Sequence, residues 1–287
     1  MNHSPILASA RTLLFVPGNR PERFEKAMGS GADAVVLDLE DSVPLAEKGA
    51  ARQAIAQALG GLAKHDVPLV VRINSVGAGL AGEEDLYWLA SLKLLAGVMV
   101  PKVESAEMLD TVGRQLPSVP LLPLIESGAG YLALRSISSQ RQVLRLAVGH
   151  IDFMADTGIM CSAGESELDS LRFEVAMVSR ASRLAPAIDG VTVDIHNAEL
   201  LRDDVHRSLR FGFGGKLCIH PKQIEGIHSA FAPTATQLNW ARRVVAADAE
   251  SGGAAVQLDG RMVDAPVVLQ AKSFLARANA GQHRETV

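Results

Sequence analysis

Glu126, in Pro-Leu-Ile-Glu-Ser-Gly, and Asp152, in Ala-Val-Gly-His-Ile-Asp-Phe, each sit just after a short apolar run that reads as a buried strand. Two hard oxygen donors at one rim of a parallel sheet suit a magnesium ion, which keeps several waters and commonly takes only one or two protein carboxylates. No histidine cluster stands nearby, so zinc fits less well. Each acid has a second reading as a helix N-cap, a common place for an acid after a strand. Asp38-Leu39-Glu40-Asp41 closes an earlier apolar run in the same way. Either Asp41 caps the helix that carries Lys48 and Arg52, or Glu40 and Asp41 bond a metal's waters and fix a neighbouring cation. Arg72, in Val-Val-Arg-Ile-Asn, borders an apolar run and cannot shed its charge. It pairs with a rim acid, or clamps a substrate carboxylate through the two-pronged geometry of guanidinium. Lys102, after Val100-Pro101, is equally ambiguous, and a Schiff-base role for it has no second residue in support.

These residues need strands to present them at a common level. Apolar runs recur at Leu13–Val16, Ala34–Leu39, Leu69–Ile73, Gly97–Val100, Leu121–Ile125, Leu144–Val148, Gly190–Val193 and Lys216–Ile219. Stretches of helical spacing lie between most of them: Ala51, Ala54, Ile55, Ala58 and Leu59 mark one face, and Phe173, Ala176, Met177 and Arg180 another. Near-continuous apolar strands alternating with amphipathic helices predict a parallel sheet covered by helices, and eight such units predict an α/β fold of the (β/α)8 TIM-barrel type. A doubly wound open sheet is the competing arrangement. Polar residues follow nearly every strand, from Pro17-Gly18-Asn19-Arg20 to Asp194 and His220, and in a barrel those ends form one ring where catalysis sits.

After the eighth unit the pattern changes. His220-Pro221 opens a helix with Ile224, Ile227 and Phe231 on one face; a second helix carries Leu238, Ala241 and Val245 and ends at Gly252-Gly253. Ala254–Leu258, the turn pair Asp259-Gly260 and Arg261–Val263 spell a hairpin, and Pro266 starts a last helix. The expected organisation is a barrel over 1–230 and a helix–hairpin–helix extension over 231–287, with the tail from Gly281 frayed. An appendage this small buries little alone, so it is expected to dock on its own barrel or a neighbour's, within an oligomer.

Bulk properties remove whole classes of function. With 287 residues, 48% hydrophobic, the chain can bury a substantial core, and a net charge of -4 offers no basic footprint for nucleic acid or an anionic membrane. The two cysteines, Cys161 and Cys218, form no Cys-x-x-Cys or Cys/His group, so neither a disulfide framework nor a zinc site is expected. No apolar stretch reaches membrane-span length and the first residues do not resemble a leader, which predicts a soluble, unprocessed, cytoplasmic protein. Gly128-Ala-Gly130 and Gly212-Phe-Gly214-Gly215-Lys216 match no nucleotide fingerprint, and Ser127 lacks a nucleophile elbow.

Taken in order, a set of short motifs resembles one family. They are Arg11-Thr-Leu-Leu-Phe-Val-Pro-Gly18, Leu37-Asp-Leu-Glu-Asp-Ser-Val43 with Lys48 and Ala51-Arg52, Val71-Arg-Ile-Asn74, Pro101-Lys102 and Leu124-Ile-Glu-Ser127. Gly149-His-Ile-Asp-Phe153, Gly212-Phe-Gly-Gly-Lys216, Ile219-His-Pro-Lys-Gln-Ile224 and Leu258-Asp-Gly-Arg-Met-Val-Asp264 continue it. The chain resembles the citrate lyase beta subunit and related acyl-CoA lyases, within the HpcH/HpaI-type magnesium-dependent aldolases, over nearly its whole length. The resemblance implies magnesium on Glu126 and Asp152, Glu40 and Asp41 supporting the metal's waters, and substrate contacts from Arg72, Lys102 and Arg11. It also implies a homotrimer or hexamer in which the C-terminal extension covers an adjacent subunit's site. There Asp264, otherwise a plain cap for the Pro266 helix, would exchange a proton with the thioester methyl.

The chemistry implied is reversible Claisen-type cleavage of a 3-hydroxyacyl-CoA into acetyl-CoA and a 2-keto acid. The segment after Asp152 lacks an arginine that many citrate-cleaving relatives carry, and Asn197 stands where relatives often have aspartate, so citryl-, malyl- and citramalyl-CoA are all candidates. Two alternatives stay open: a class II aldolase acting on free hydroxy-keto acids, and a non-catalytic acyl-CoA-binding subunit, with or without an acyl-carrier partner.

Overall fold

The computed structural model describes residues 4–92 and 95–282. Eight parallel strands follow one another around a closed ring: β1 (Thr12–Pro17), β2 (Ala34–Asp38), β3 (Leu69–Arg72), β4 (Gly97–Val100), β5 (Leu121–Ile125), β6 (Ala147–Val148), β7 (Ile188–Asp189) and β8 (Gly215–Cys218). β1 is bonded to β2 on one side and β8 on the other, so the sheet has no free edge and the open, doubly wound alternative is excluded. This is a (β/α)8 barrel. Inward side chains such as Leu13, Val36, Val70, Met99, Leu122 and Leu217 fill it with one buried cluster. The helix Lys48–Leu62 buries Ala51, Ile55 and Leu59 as the spacing predicts.

At the end where the strands begin, the helix Ser4–Ser9 sends Leu7 into that cluster. Arg145 holds it there: fully buried, it donates to the carbonyls of Leu7 at 3.0 Å, Ala10 at 2.7 Å and Pro186 at 2.7 Å. Arg145→Met is expected to strand these acceptors and cost on the order of 3 kcal/mol. Because the clasp lies opposite the strand ends that carry Glu126 and Asp152, kcat should not change. Urea denaturation read beside turnover checks both; an unchanged midpoint would mean that the helix is held by packing alone.

Three expectations need correction. β7 is Ile188–Asp189 rather than Gly190–Val193: Asp189 is a charged residue inside a strand, satisfied there by Ser208 Oγ at 2.5 Å, the Gly190 N–H at 2.9 Å and Arg172 at 3.4 Å. β6 is only Ala147–Val148, because the run from Leu144 is interrupted by Arg145 turning to its carbonyls. In the helix Asp169–Ala181 the buried face is Leu171, Arg172, Val175 and Val178, while Phe173 and Met177 are 54% and 45% exposed. Arg172 reaches inward to Asp189, and that ion pair sets the helix rotation.

The chain divides into two compact units, Met1–Ile227 and His228–Val287, the boundary falling inside the helix Gln223–Phe231. In the second unit the helix Ala235–Glu250 starts with a capping box between Thr234 and Gln237 and ends before Gly252 and Gly253, both left-handed. β9 (Val256–Leu258) and β10 (Arg261–Val263) pair antiparallel across Asp259 and Gly260. Both turn residues have positive φ, 50° and 75°, as a type I′ turn requires. The helix Ala265–Gln282 follows, and Ala241, Val244, Val263, Val268 and Ala271 form a small core with Trp240 edge-on to Phe274. The helix therefore continues past Gly281, and 283–287 lie outside the described residues. No described helix is long and apolar enough to cross a membrane.

Candidate active site

Register brings the first pair together. Asp38 and Arg72 are partners at the ends of adjacent parallel strands, so their side chains emerge on the same face. Arg72 grips Asp38 with Nε at 2.6 Å and Nη2 at 2.7 Å, and turns Nη1 to Glu40 Oε2 at 2.8 Å; its guanidinium lies 4.8 Å from the centre of the Phe15 ring. Burial opposes both charges, but the pairing outweighs it, holding Asp38 below and Arg72 above their ordinary values. Asp38, read from sequence only as a polar strand end, is thus the anchor of the arginine.

Glu40 carries the connection onward. Its other oxygen accepts a short bond from Lys102 Nζ, which also approaches Asp41 at 3.4 Å. Lys102 has a left-handed backbone with φ 49°, and that twist aims its own N–H at Glu126 Oε1, 2.6 Å away. Burial works against the Lys102 charge, but Glu40 and then Asp41 outweigh it and hold the amine above the ordinary lysine value. Its amine is engaged as a charged partner of Glu40 and Asp41, whereas a Schiff-base lysine must present a free neutral amine. Asp41 is no helix cap either: the helix Lys48–Leu62 has Glu47 at its N-cap. Lys48 is spent on the carbonyls of Leu39 and Glu40, at 2.9 and 3.0 Å, and on Asn74; Arg52 is spent on Asp85 and Glu84.

Glu126 follows β5 and Asp152 lies in the first turn of the helix His150–Thr157. Ile125 and Val148 are ladder partners, so Glu126 comes out level with Gly149. A Cβ on Gly149 would stand 2.4 Å from Glu126 Oε2, which explains a glycine there. Gly190 has the same relation to His150, whose Nδ1 occupies the place a Cβ would take, 2.0 Å away. Asp156, one turn after Asp152, accepts the Gly128 N–H at 2.8 Å and so ties the helix of one acid to the segment of the other. Glu126, Asp152 and Arg72 line one pocket of about 100 Å³.

Burial, then the nearby Glu40 charge, push the Glu126 carboxyl up to about 8; the Lys102 N–H only partly offsets them. Burial also raises Glu40. A mouth crowded with carboxylates that resist ionising together is one that a divalent cation would neutralise. Among the described residues no three His, Cys, Asp or Glu side chains converge on one point, so a complete protein cage of the zinc kind is not offered. Two hard carboxylates with water completing the shell fit magnesium. Because Glu126 must lose its proton to bind, affinity for Mg²⁺ is expected to rise about tenfold per pH unit and level off above about 8. Calorimetry between pH 6 and 9 measures this, and a flat profile would remove Glu126 from the ligand set.

Arg11 does not join the group. It precedes β1, at the opposite end of the barrel, where its backbone N–H and Nε bond Asp33 at 2.6 and 3.3 Å. A strand of that length separates it from the mouth by roughly 20 Å. Asp264 stands at the end of β10 in the second unit, half-buried, its Oδ1 accepting from the Val267 N–H at 3.4 Å as a helix cap. Sequence reasoning also missed Glu165, which has φ 50° and binds Arg172 at 2.5 Å and Arg207 at 2.9 Å, pinning the segment after the Asp152 helix. No local spacing announces a contact made across three elements.

The HpcH/HpaI aldolase/citrate lyase profile matches residues 11–221, which is most of the barrel unit. The chain belongs to this family. Within the HpcH/HpaI aldolase/citrate lyase family it is 36% identical to a citrate lyase subunit beta-like protein of Deinococcus radiodurans, over 96% of this chain and 99% of the relative. It is 30% identical to the mitochondrial citramalyl-CoA lyase of Homo sapiens, over 94% of this chain and 86% of that enzyme. The crystal structure of CitE from Mycobacterium tuberculosis in complex with magnesium, acetoacetate and coenzyme A superposes with a TM-score of 0.81 at 33% identity, covering 95% of this chain and 99% of that one. The motif resemblance and the barrel thus agree on the family.

Proposed function

We propose that the chain is a magnesium-dependent carbon–carbon lyase that cleaves a 3-hydroxyacyl-CoA thioester, reversibly, into acetyl-CoA and a 2-keto acid. One observation carries this: Glu126 and Asp152, two hard donors, share a small pocket with the guanidinium of Arg72. That is the equipment for gripping a 2-oxygenated carboxylate. Relatives named as citrate lyase beta subunits and as a citramalyl-CoA lyase, and a neighbour holding magnesium with coenzyme A, support the same class.

Glu126 and Asp152 would hold the ion, with Glu40 and Asp41 orienting its waters and Lys102 bridging Glu40 and Asp41 with its amine. Magnesium held by these residues would supply Lewis-acid polarisation of the oxygen next to the substrate's carboxylate. In the cleavage direction the hydroxyl passes its proton to solvent, which returns one to Asp264 for the last step; the bond between the hydroxyl-bearing carbon and the thioester's α-carbon breaks, and its electron pair passes into the thioester enolate. Arg72 binds the substrate carboxylate and faces the charge developing on that enolate, preorganised by Asp38. Protonation of the enolate carbon then gives the acetyl methyl, a step we assign to Asp264. Asp264 acts from the C-terminal extension of an adjacent subunit in a trimer or hexamer; Met262 and Leu269, 68% and 63% exposed, support a covering role for that extension.

A coupled assay over a thioester panel and over free hydroxy-keto acids tests the class: acetyl-CoA release is expected, whereas pyruvate release from free acids alone would make the chain an aldolase. Asp264→Asn is expected to lower kcat about a hundredfold. Its affinity for Mg²⁺ should not move, and a loss of that affinity would make Asp264 a ligand instead.

A further inference from the structure

Behind the two acids and Arg72, the pocket has apolar walls of Phe15, Leu124, Val148, Val191 and Leu217, with the Gly149–Ile151 segment completing the lining. Its volume is about 100 Å³. An aliphatic cavity of roughly 150 Å³ takes one benzene ring, so the space here admits a hydrogen or a methyl group beside a keto acid's reacting end and little more.

Charge narrows the choice further. Asp38, Glu40, Asp41, Glu126 and Asp152 crowd the mouth against the two cations Arg72 and Lys102, an excess that one divalent ion only partly offsets. Arg72 is the one permanently charged cation among the described residues that line the pocket. Its Nε and Nη2 are engaged by Asp38 and Nη1 faces Glu40, so the part of the fork left over matches a single carboxylate. The other basic groups of this region face partners of their own: Lys102 has Glu40 and Asp41, Arg172 and Arg207 have Glu165, Asp189 and Asp204, and Lys216 has the Gly190 carbonyl and Asp204. His150, which also lines the pocket, turns Nε2 to Glu165 at 3.7 Å and packs its Nδ1, without a partner among the described residues, against Gly190. A second substrate carboxylate would therefore be pressed, unpaired, against apolar side chains or carboxylates.

We propose that the acid handled here is a small monocarboxylic 2-oxo acid carrying a hydrogen or a methyl group, of the glyoxylate or pyruvate kind, and that dicarboxylic acids of the oxaloacetate kind are rejected. This rests on the lyase chemistry proposed above and narrows it. The thioesters cleaved are then those of the malyl and citramalyl type, and the citryl type is excluded.

The test is calorimetric titration of the full chain, at saturating Mg²⁺, with glyoxylate, pyruvate, freshly prepared oxaloacetate and 2-oxoglutarate. Cleavage of the three thioester types is measured in parallel. Binding of glyoxylate or pyruvate at least about tenfold tighter than either dicarboxylate, with no citryl-type turnover, is the expected result. Oxaloacetate binding as tightly as pyruvate, or citryl-type cleavage at a comparable rate, would overturn this inference and leave the lyase chemistry standing. If no 2-oxo acid binds in the presence of Mg²⁺, the lyase proposal itself fails and this inference falls with it.

Discussion

Glu126→Gln is expected to abolish Mg²⁺ binding and lower kcat/KM by a factor of about 1,000 or more, the scale at which loss of a preorganised electrostatic element is felt. The substitution keeps shape and removes charge. On the proposed ligand set magnesium would have only two protein carboxylates, so exchanging one for a neutral amide would remove half of the anionic donors. A second effect has the opposite sign. The raised carboxyl prefers its proton in the folded state, so it destabilises the metal-free protein increasingly as pH rises from the ordinary carboxylate range to about 8, and by a constant amount above that. The neutral amide avoids this, and the metal-free variant should be more stable than the parent at pH 8 by up to on the order of 3 kcal/mol. Calorimetry with Mg²⁺ and thermal denaturation in chelator read the two effects separately. Retained turnover would refute the ligand role, and a lowered Tm would mean that Glu126 is paired in a way the pocket geometry does not include.

Arg72→Lys should lower kcat/KM by a factor of about 1,000 while leaving Mg²⁺ affinity within a few-fold of the parent. Lysine keeps the charge but cannot grip Asp38 with two parallel bonds, face Glu40 and present a fork to substrate at once. Arg72→Met should be worse in another way. It leaves Asp38, which is fully buried, without its partner and is expected to cost about 3–5 kcal/mol. Comparing the two by steady-state kinetics and urea denaturation separates catalysis from scaffolding: a Lys variant with near-normal turnover would reduce Arg72 to a structural pair.

What could be read beforehand follows from where the physics is local. β1 to β5 are near-continuous apolar runs, and burial on both faces writes that pattern directly into sequence. β7 broke it because Asp189 is paid for by Arg172 and Ser208 from two helices, a compensation invisible in any short window. The same holds for the face of the helix Asp169–Ala181, which an ion pair rotates against its apolar spacing. At the mouth, strand ends betrayed Glu126, Asp152, Arg72 and Lys102, since polar residues after apolar runs are cheap to spot. Their division of labour was not legible. That Asp38 anchors Arg72, that Lys102 serves Glu126 with its backbone rather than its amine, and that Gly149 clears room for a carboxylate all depend on register between strands. Arg11 misled for the converse reason: motif order along the chain does not say at which end of a strand a residue stands.

A crystal of the full chain soaked in Mn²⁺ and examined at the manganese absorption edge tests the central claim most directly. One anomalous peak within about 2.2 Å of oxygens from both Glu126 and Asp152 is the predicted result. An empty pocket at saturating ion, or a peak that touches only one of the two carboxylates, would contradict the account.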